Sequence, residues 1–242
     1  MFHYITKLFS KTKNIEDEFF IPNDGLEISN YINKKDVAAV HHLIRYQWAI
    51  KVIERMNLQK PLLDVACGAG YGSFQIAKNY PDIQVFGVDY DPKAIKYASE
   101  NYVWPNLKFK QGDLQYWDDT IGNEKYEVII SFDTIEHVSH REIVMENFLS
   151  YLEEDGILLL STPCGEKFNN LKPDWWAHKI EYSSKSLFDL LSRYFLTIIR
   201  PEDENFPHKN VFDQLDGSGI DYLLQMNPVI CKNPIRIKNP YQ

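Results

Sequence analysis

Residues 63–72 read Leu-Asp-Val-Ala-Cys-Gly-Ala-Gly-Tyr-Gly, and this stretch is the most informative of the chain. A short apolar strand runs into Gly68 and Gly70, and a helical pattern follows. Glycines at such a junction let the backbone turn sharply and let a ligand approach the main chain closely. A lone Gly-x-Gly is equally compatible with a turn that only joins a strand to a helix. The stretch therefore predicts a strand–turn–helix unit and a candidate ligand site at its turn.

Strand and helix patterns alternate on both sides of this turn. Short apolar runs predict strands at 62–66, 83–88, 107–110, 126–131, 157–161 and 195–199, and a last strand within Asp221–Cys231. Apolar residues at three- and four-residue spacing predict helices from Asp36, at 71–80, 92–102 and 140–153, and from Ser183 or Ser184 to about Tyr194. Asp155-Gly156 predicts a turn. Such alternation is typical of an α/β fold with a parallel sheet covered by helices on both faces.

The 242 residues suffice for one large domain, and their composition is that of a globular protein, with 44% hydrophobic and 25% charged residues. We predict a loosely packed N-terminal arm over 1–35, because this segment is polar and mixed in charge, and a main domain over 36–242 with a lid insertion at about 162–182. Lys and Arg total 26 against 34 Asp and Glu, so the net charge is −8. This acidic balance disfavours non-specific binding to nucleic acids and anionic membranes.

From the sequence we expect neither a membrane span nor a signal peptide. No apolar run approaches the roughly 20 residues of a membrane span, and the first nine residues lack the apolar core of a signal peptide. The three cysteines form no Cys-x-x-Cys motif, and an odd number cannot all pair. A reducing compartment is therefore expected, and we predict a cytoplasmic protein.

Acidic side chains stand at the ends of the strands that follow the glycine turn. Asp89 ends the next strand, 19 residues after Gly70, where it can accept both hydroxyls of an adenosine ribose. Asp113 follows the third strand, within reach of an adenine amino group. A dinucleotide-binding dehydrogenase would favour glycine where the chain has Ser73, and Asp64 beside the turn would repel a pyrophosphate. The same carboxylate suits a cationic ligand with an ammonium and a sulfonium group, as in S-adenosylmethionine.

The combined pattern resembles the class I S-adenosylmethionine-dependent methyltransferases. It consists of Asp64-x-x-x-Gly68-x-Gly70, Asp89, Gly112-Asp113, the strand at 126–131 and Asp155-Gly156-x-Leu158, and the resemblance covers residues from about 40 to 200. It implies a Rossmann-like seven-stranded sheet, mostly parallel, with an antiparallel last strand. It also implies a cofactor-binding set of Asp64, Ala66, Gly68, Gly70, Asp89, Tyr90, Asp113, Leu114 and Ser131. The glycines would line the methionine part of the cofactor, above Asp64. Asp89 would hold the ribose. Tyr90, Asp113 and Leu114 would contact the adenine.

The end of the fourth predicted strand, where this fold places acceptor chemistry, reads Ser131-Phe132-Asp133-Thr134-Ile135-Glu136-His137. Asp133, Glu136 and His137 stand at i, i+3 and i+4, so on a helix they would share one face. Two carboxylates and an imidazole on one face could bind a divalent cation such as Mg²⁺. Equally, Glu136 and His137 could be a helix-start ion pair, or a pair that hydrogen-bonds the substrate without a metal.

This segment resembles the Glu-x-x-Glu-His metal segment of ubiquinone-pathway O-methyltransferases and of small-RNA 2′-O-methyltransferases. The latter also carry a His-Lys-x-Glu-aromatic-Ser/Thr segment, which this chain has at 178–183. Asp133 stands where both relatives have glutamate. The resemblance implies a catalytic and metal-binding set of Asp133, Glu136, His137 and His178. Without a metal, His137 or His178 would act as general base, and both versions end in O-methylation.

Two segments remain for the acceptor pocket. Arg45 lies in a His-x-x-Arg-Tyr stretch that resembles bacterial members of the family, and it could pair with the cofactor carboxylate or an acidic substrate, or lie at the surface. Trp175 and Trp176 could cover an acceptor or anchor a lid. The resemblance favours a bacterial O-methyltransferase of polysaccharide biosynthesis that acts on a hydroxyl of a small sugar or glycan precursor. The alternatives are an RNA ribose O-methyltransferase, an amino-sugar N-methyltransferase and a non-catalytic scaffold that binds the cofactor.

Overall fold

A computed structural model describes residues 19–117, 123–163, 177–201, 203 and 219–236. Within these residues seven strands form one sheet: β1 Leu62–Val65, β2 Val85–Asp89, β3 Leu107–Gln111, β4 Tyr126–Phe132, β5 Leu152–Ser161, β6 Phe195–Ile199 and β7 Val229–Pro234. The helices are α1 Ile28–Lys34, α2 Val37–Met56, α3 Tyr71–Asn79, α4 Pro92–Asn101, α5 Arg141–Tyr151, α6 Ser184–Leu191 and α7 Gly219–Leu224. The predicted alternation of strands and helices is confirmed.

The strands lie in the order β3-β2-β1-β4-β5-β7-β6. β1 pairs in parallel with β2 on one side and with β4 on the other, so Val65 lies between Val88 and Ser131. β7 runs antiparallel to both of its neighbours, as predicted for the last strand. The chain builds one half of the sheet outward from β1 and the other half from β4. Open α/β sheets bind ligands at such a switch point, in the crevice beyond the carboxyl ends of the strands.

Helices cover both faces of the sheet, as predicted, and each face has its own apolar cluster. On one face α1, α2 and α3 pack around buried residues that include Ile44 and Trp48. On the other face α5 and α6 pack through Phe148 and Leu191. None of the helices in the described ranges is long and apolar enough to cross a membrane.

α2 begins where the sequence predicts it. Asp36 accepts a hydrogen bond from Ala39 N (3.1 Å) through its side chain, which satisfies one of the N–H groups at the start of the helix. Val40, Ile44 and Trp48 then recur at four-residue spacing and are fully buried. Packing of this stripe fixes the helix against the sheet, and it fixes the neighbouring polar residues of α2 close to the ends of β1 and β4.

The described part of the predicted arm, residues 19–35, is not loosely packed. It contains α1, and Ile28 and Tyr31 are only 2% exposed. The Tyr31 hydroxyl donates to Gly25 O (2.9 Å) and accepts from Asp24 N (2.8 Å). The prediction of a loose arm is wrong here because a seven-residue helix is too short to show a clear periodic pattern. The division of the chain into arm and domain stays a prediction.

Two further sequence predictions differ from the structure. The strand predicted within Asp221–Cys231 begins only at Val229, because α7 takes up the first part of that segment. The predicted Asp155-Gly156 turn is wrong, since both residues lie inside β5. The register between β4 and β5 shifts in this region, so an irregularity of the strand takes the place of a turn.

Most of the lid insertion predicted at about 162–182 lies outside the described residues, and Trp175 and Trp176 are among those not described. Its described end runs beside the end of β4, where Lys179 N donates to Glu136 O (2.7 Å). This contact brings the later histidine-containing segment to the end of β4.

Candidate active site

The turn between β1 and α3 is built from residues with left-handed backbone angles. Ala66, Gly68 and Gly70 have φ values of 55°, 53° and 82°, a region that glycine enters without steric conflict. A Cβ atom on Gly70 would lie 2.6 Å from Ala98 Cβ and equally close to the Phe109 ring. The turn is therefore packed tightly against α4 and β3, and the sharp bend predicted from the glycines is confirmed.

Asp64 lies beneath this turn, and its carboxylate does not reach the surface of the crevice. The residue is fully buried, its Oδ2 accepts from Ser73 Oγ (2.6 Å), and both oxygens lie 3.2 Å from the Tyr46 hydroxyl. Burial raises the pKa of Asp64 to about 7, outweighing these hydrogen bonds, which lower it. The resemblance implied that Asp64 lies under the glycine turn, as it does, and its charge was predicted to face a cationic ligand. In the structure it supports the turn from below, because Ser73 and Tyr46 enclose it.

Replacing Asp64 with asparagine should remove a pH dependence of the stability. The unfolded chain ionises this carboxyl near its ordinary pKa of about 4, whereas the folded protein keeps it protonated up to about pH 7. The free energy of unfolding of the wild type should therefore fall as the pH rises toward 7, by at most about 1.4 kcal/mol per pH unit from this group, and level off above. Urea unfolding of both proteins between pH 5 and pH 8 measures the effect. Identical slopes for the two proteins would contradict it.

Asp89, at the end of β2, holds the glycine turn with its carboxylate. Oδ2 accepts a hydrogen bond from Gly68 N (2.8 Å), and Oδ1 accepts one from Asp91 N (2.9 Å). The residue is 7% exposed, and burial raises its pKa. The structure thus brings Asp89 to the turn that the sequence predicts as its partner in cofactor binding.

The residues predicted to contact an adenine gather at the same edge of the sheet. Gly112 N donates to Asp89 O (2.9 Å), which ties the end of β3 to the end of β2. The Asp113 side chain accepts from a backbone N–H two residues on (2.8 Å) and fixes the following turn. Leu114 is nearly buried, whereas Tyr90 is 58% exposed. This edge therefore offers an exposed aromatic ring, while Leu114 is packed into the apolar cluster on one face of the sheet.

Ser131 lies at the end of β4, directly beside Val65 of β1. The residue is buried, and its hydroxyl has no hydrogen-bond partner among the described residues. Buried polar atoms are rarely left unpaired in native proteins. The Ser131 hydroxyl is therefore a polar atom still open to a ligand at the switch point.

Arg45 and Asp133 form an ion pair that joins α2 to the end of β4. Arg45 is 1% exposed, and its guanidinium contacts both carboxylate oxygens of Asp133. It also donates from Nε to His41 O (2.8 Å) and from Nη1 to Ser161 Oγ (3.3 Å). Burial alone would raise the pKa of Asp133, but the charge and hydrogen bond of Arg45 lower it to about 2. Arg45 is thus neither a surface residue nor open to the cofactor carboxylate, because Asp133 already occupies it.

Asp133, Glu136 and His137 do not share one face of a helix, because their segment is not helical. The segment forms a turn, Asp133 has a φ of 49°, and α5 begins only after it. Glu136, His137 and His178 nevertheless come together, with one possible ligand atom from each within 4.8 Å of the others. Asp133 is not part of this group, since its carboxylate is turned to the guanidinium.

Glu136 is the buried centre of this group. Its Oε2 accepts a hydrogen bond from Thr162 Oγ1 (2.8 Å), while Oε1 is buried without a partner in the described ranges. Burial, reinforced by the charge of Asp133, raises the pKa of Glu136 to about 8. The rings of His137 and His178 lie 4.8 Å apart, edge to face. A buried carboxyl beside two imidazoles can take up a proton or a cation.

Two aromatic residues near the N-terminus also lie at the crevice, and the sequence analysis missed them. Phe20 stacks on His42 with ring centres 4.6 Å apart and meets the edge of Tyr71. A Cβ atom on Gly68 would have Phe19 Cβ as its nearest neighbour, at 3.6 Å. The only available signal was an aromatic pair in an otherwise polar segment.

The glycine turn, the acidic ends of β2 and β3 and the cluster at β4 all lie in a stretch that matches a known family. The family model described as "Methyltransferase domain" matches residues 57–205. The chain belongs to this methyltransferase family. Family and fold together support the predicted class I S-adenosylmethionine-dependent type.

The curated relatives are methyltransferases whose names give different acceptors. A malonyl-[acyl-carrier protein] O-methyltransferase of Bacillus cereus is 29% identical over 134 residues, which are 55% of this chain and 49% of that protein. Phosphoethanolamine N-methyltransferase 1 of Triticum aestivum is 29% identical over 119 residues, 46% of this chain and 23% of that protein. The chain thus spans half or less of the length of these relatives. Neither name includes a glycan, so the acceptor of this methyltransferase stays a proposal.

A solved structure shows the same fold along most of the chain. The plantazolicin methyltransferase BpumL, in complex with SAH, matches 88% of this chain and 91% of its own, with a TM-score of 0.59 and 16% identity. At this identity the similarity concerns the fold alone.

Proposed function

We propose that this protein transfers a methyl group from S-adenosylmethionine to a hydroxyl of a small molecule. One observation carries the proposal: Glu136, His137 and His178 converge at the end of β4, and β4 pairs with the strand that leads into the glycine turn. The cofactor supplies a methyl group already activated on a positively charged sulfur. The protein has to align the acceptor and take up its hydroxyl proton, and basic side chains beside the switch point suit that task.

The cofactor side of the proposal rests on the edge formed by the glycine turn and by β2 and β3. Gly68 has no side chain to hold a cofactor away from the main chain, and Phe19 packs beside the position that its Cβ atom would take. The Asp89 carboxylate accepts a hydrogen bond from Gly68 N in this turn. We propose that it also accepts hydrogen bonds from the ribose hydroxyls of the cofactor. Tyr90, Asp113 and Leu114 would contact the adenine.

We propose His137 as the group that accepts the hydroxyl proton. Its Nδ1 lies 3.2 Å from Ala177 O, and a carbonyl oxygen can only accept, so Nδ1 carries the proton of the neutral ring. Nε2 then holds the lone pair and can act as the base. Positioned general bases contribute roughly 10²–10⁴ in rate.

As the alternative to a free base, the same group would hold a divalent cation, and the imidazoles would then be ligands and not bases. Glu136 contributes a buried oxygen without a partner among the described residues, and the two imidazoles complete a set of three ligands within 4.8 Å. A cation bound there lowers the pKa of an acceptor hydroxyl and orients it. Elemental analysis and calorimetric titration with Mg²⁺ and Mn²⁺ test this part. Absence of binding by the wild type would refute it and leave the imidazole as the base.

Two sets of variants should separate methyl transfer from cofactor binding. Glu136→Gln and His137→Ala should each lower kcat by about 10²–10⁴ and leave the affinity for S-adenosylmethionine nearly unchanged. Asp89→Ala should weaken cofactor binding, measured by calorimetry on the folded variant, and should also lower stability, because the hydrogen bonds from Gly68 N and Asp91 N are lost. The site assignment fails if both cluster variants retain full turnover.

The acceptor is found by incubating the protein with cofactor that carries a labelled methyl group. Nucleotide sugars and glycan precursors test the proposed hydroxyl acceptor. Malonyl-carrier protein, phosphoethanolamine and short RNA, in parallel, test carboxyl, amine and ribose acceptors. Label on a carboxyl or an amine and on none of the hydroxyls would overturn the proposal.

A further inference from the structure

We infer that Glu181 is the positioning residue for His178: its carboxylate fixes which ring nitrogen of His178 carries the proton. The inference rests on the proposed function, in which His178 belongs to the acceptor site. Glu181 itself belongs to none of the predicted sets of catalytic, metal-binding or cofactor-binding residues.

The contact between the two side chains is short and shielded. His178 Nδ1 lies 2.7 Å from Glu181 Oε1, and the side chains are 9% and 15% exposed. An ionised carboxylate has no proton to donate, so Nδ1 must be the donor. In the neutral ring Nε2 is then the nitrogen that can accept a proton or bind a cation.

The backbone around His178 is held by other contacts. Lys179 N donates to Glu136 O (2.7 Å), and Asn227 Nδ2 donates to Tyr182 O (3.0 Å). These bonds fix the path of the segment without the Glu181 side chain. Removal of its carboxylate should therefore change the imidazole and leave the segment in place.

Both imidazoles of the cluster then carry the proton of the neutral ring on Nδ1. His137 donates from Nδ1 to a backbone carbonyl, and His178 donates from Nδ1 to a carboxylate. Each leaves Nε2 without a proton, and a ring nitrogen of each histidine lies within 4.8 Å of a Glu136 carboxylate oxygen. Partners of this kind orient the ring and raise its basicity, and their loss typically costs 10–100-fold in metal affinity or activity. Glu181 therefore acts on the reaction through His178.

The test is the protonation pattern of the His178 ring, read by long-range ¹H–¹⁵N correlation spectra of ¹⁵N-histidine-labelled protein at a pH where the ring is neutral. His178→Gln assigns the signal. We expect Nδ1–H in the wild type, a shift to Nε2–H in Glu181→Leu, and retention of Nδ1–H in Glu181→Gln, whose amide oxygen still accepts. Glu154→Gln, at an exposed position, is the matched control and should change nothing.

Turnover provides the second readout. Glu181→Leu should lower kcat about 10–100-fold with little change in KM, and Glu181→Gln should recover part of the loss. A wild-type His178 that carries its proton on Nε2, or an unchanged ring pattern in Glu181→Leu, would overturn the inference. Both results are read without any acceptor, so they are distinct from a failure of the proposed function, which would show as no methyl transfer by the wild type.

Discussion

Replacing Arg45 with methionine should lower the free energy of unfolding by about 3 kcal/mol. Methionine keeps much of the side-chain volume and removes the charge. The Asp133 carboxylate, about a quarter exposed, would then stay ionised at the end of β4 without its cation. The hydrogen bonds to His41 O and Ser161 Oγ would also be lost. Urea unfolding monitored by tryptophan fluorescence and by circular dichroism measures the change.

Two controls isolate the buried pair. Arg55→Met changes the same residue type at an exposed position of the same helix and should cost well under 1 kcal/mol. In the double variant with Asp133→Asn the uncompensated charge is gone, so the double change should cost less than the sum of the two single changes, by about 1–3 kcal/mol. Equal costs for Arg45→Met and Arg55→Met would show that the pair contributes nothing to stability.

The glycine turn and the sheet around it were predictable because their determinants are local. Gly68 and Gly70 are next to an apolar strand and a periodic helix in the sequence itself, and the turn needs their backbone freedom. The strands of a covered parallel sheet are short apolar runs, which composition reveals directly. The position of Asp89 at the turn also followed, because parallel strands bring their carboxyl ends to one edge.

The roles of Asp64, Asp133 and Arg45 were not predictable in this way. Each depends on a partner far along the chain: Arg45 and Asp133 are 88 residues apart, and Asp64 is enclosed by residues from two helices. The helix predicted at 140–153 is present, but the segment of Asp133, Glu136 and His137 before it forms a turn that begins with the positive φ of Asp133. Residues at i, i+3 and i+4 share a face only where the chain is helical. Here a turn supplies Glu136 and His137, and a distant segment supplies His178.

Replacing Gly70 with alanine should lower the free energy of unfolding by about 2–5 kcal/mol, the sum of backbone strain and overpacking. Its φ of 82° is unfavourable for any residue with a Cβ atom, and the new atom would meet Ala98 and the Phe109 ring at 2.6 Å. Gly25→Ala separates backbone strain from overpacking, because Gly25 has a φ of 81° and nothing lies within 4 Å of the Cβ atom that alanine would add there. Gly25→Ala should therefore cost only the strain, about 1–2 kcal/mol, and urea unfolding of both variants gives the packing cost as the difference. Equal losses for the two variants would mean that the turn is not confined by α4 and β3, and that the glycine serves conformation alone.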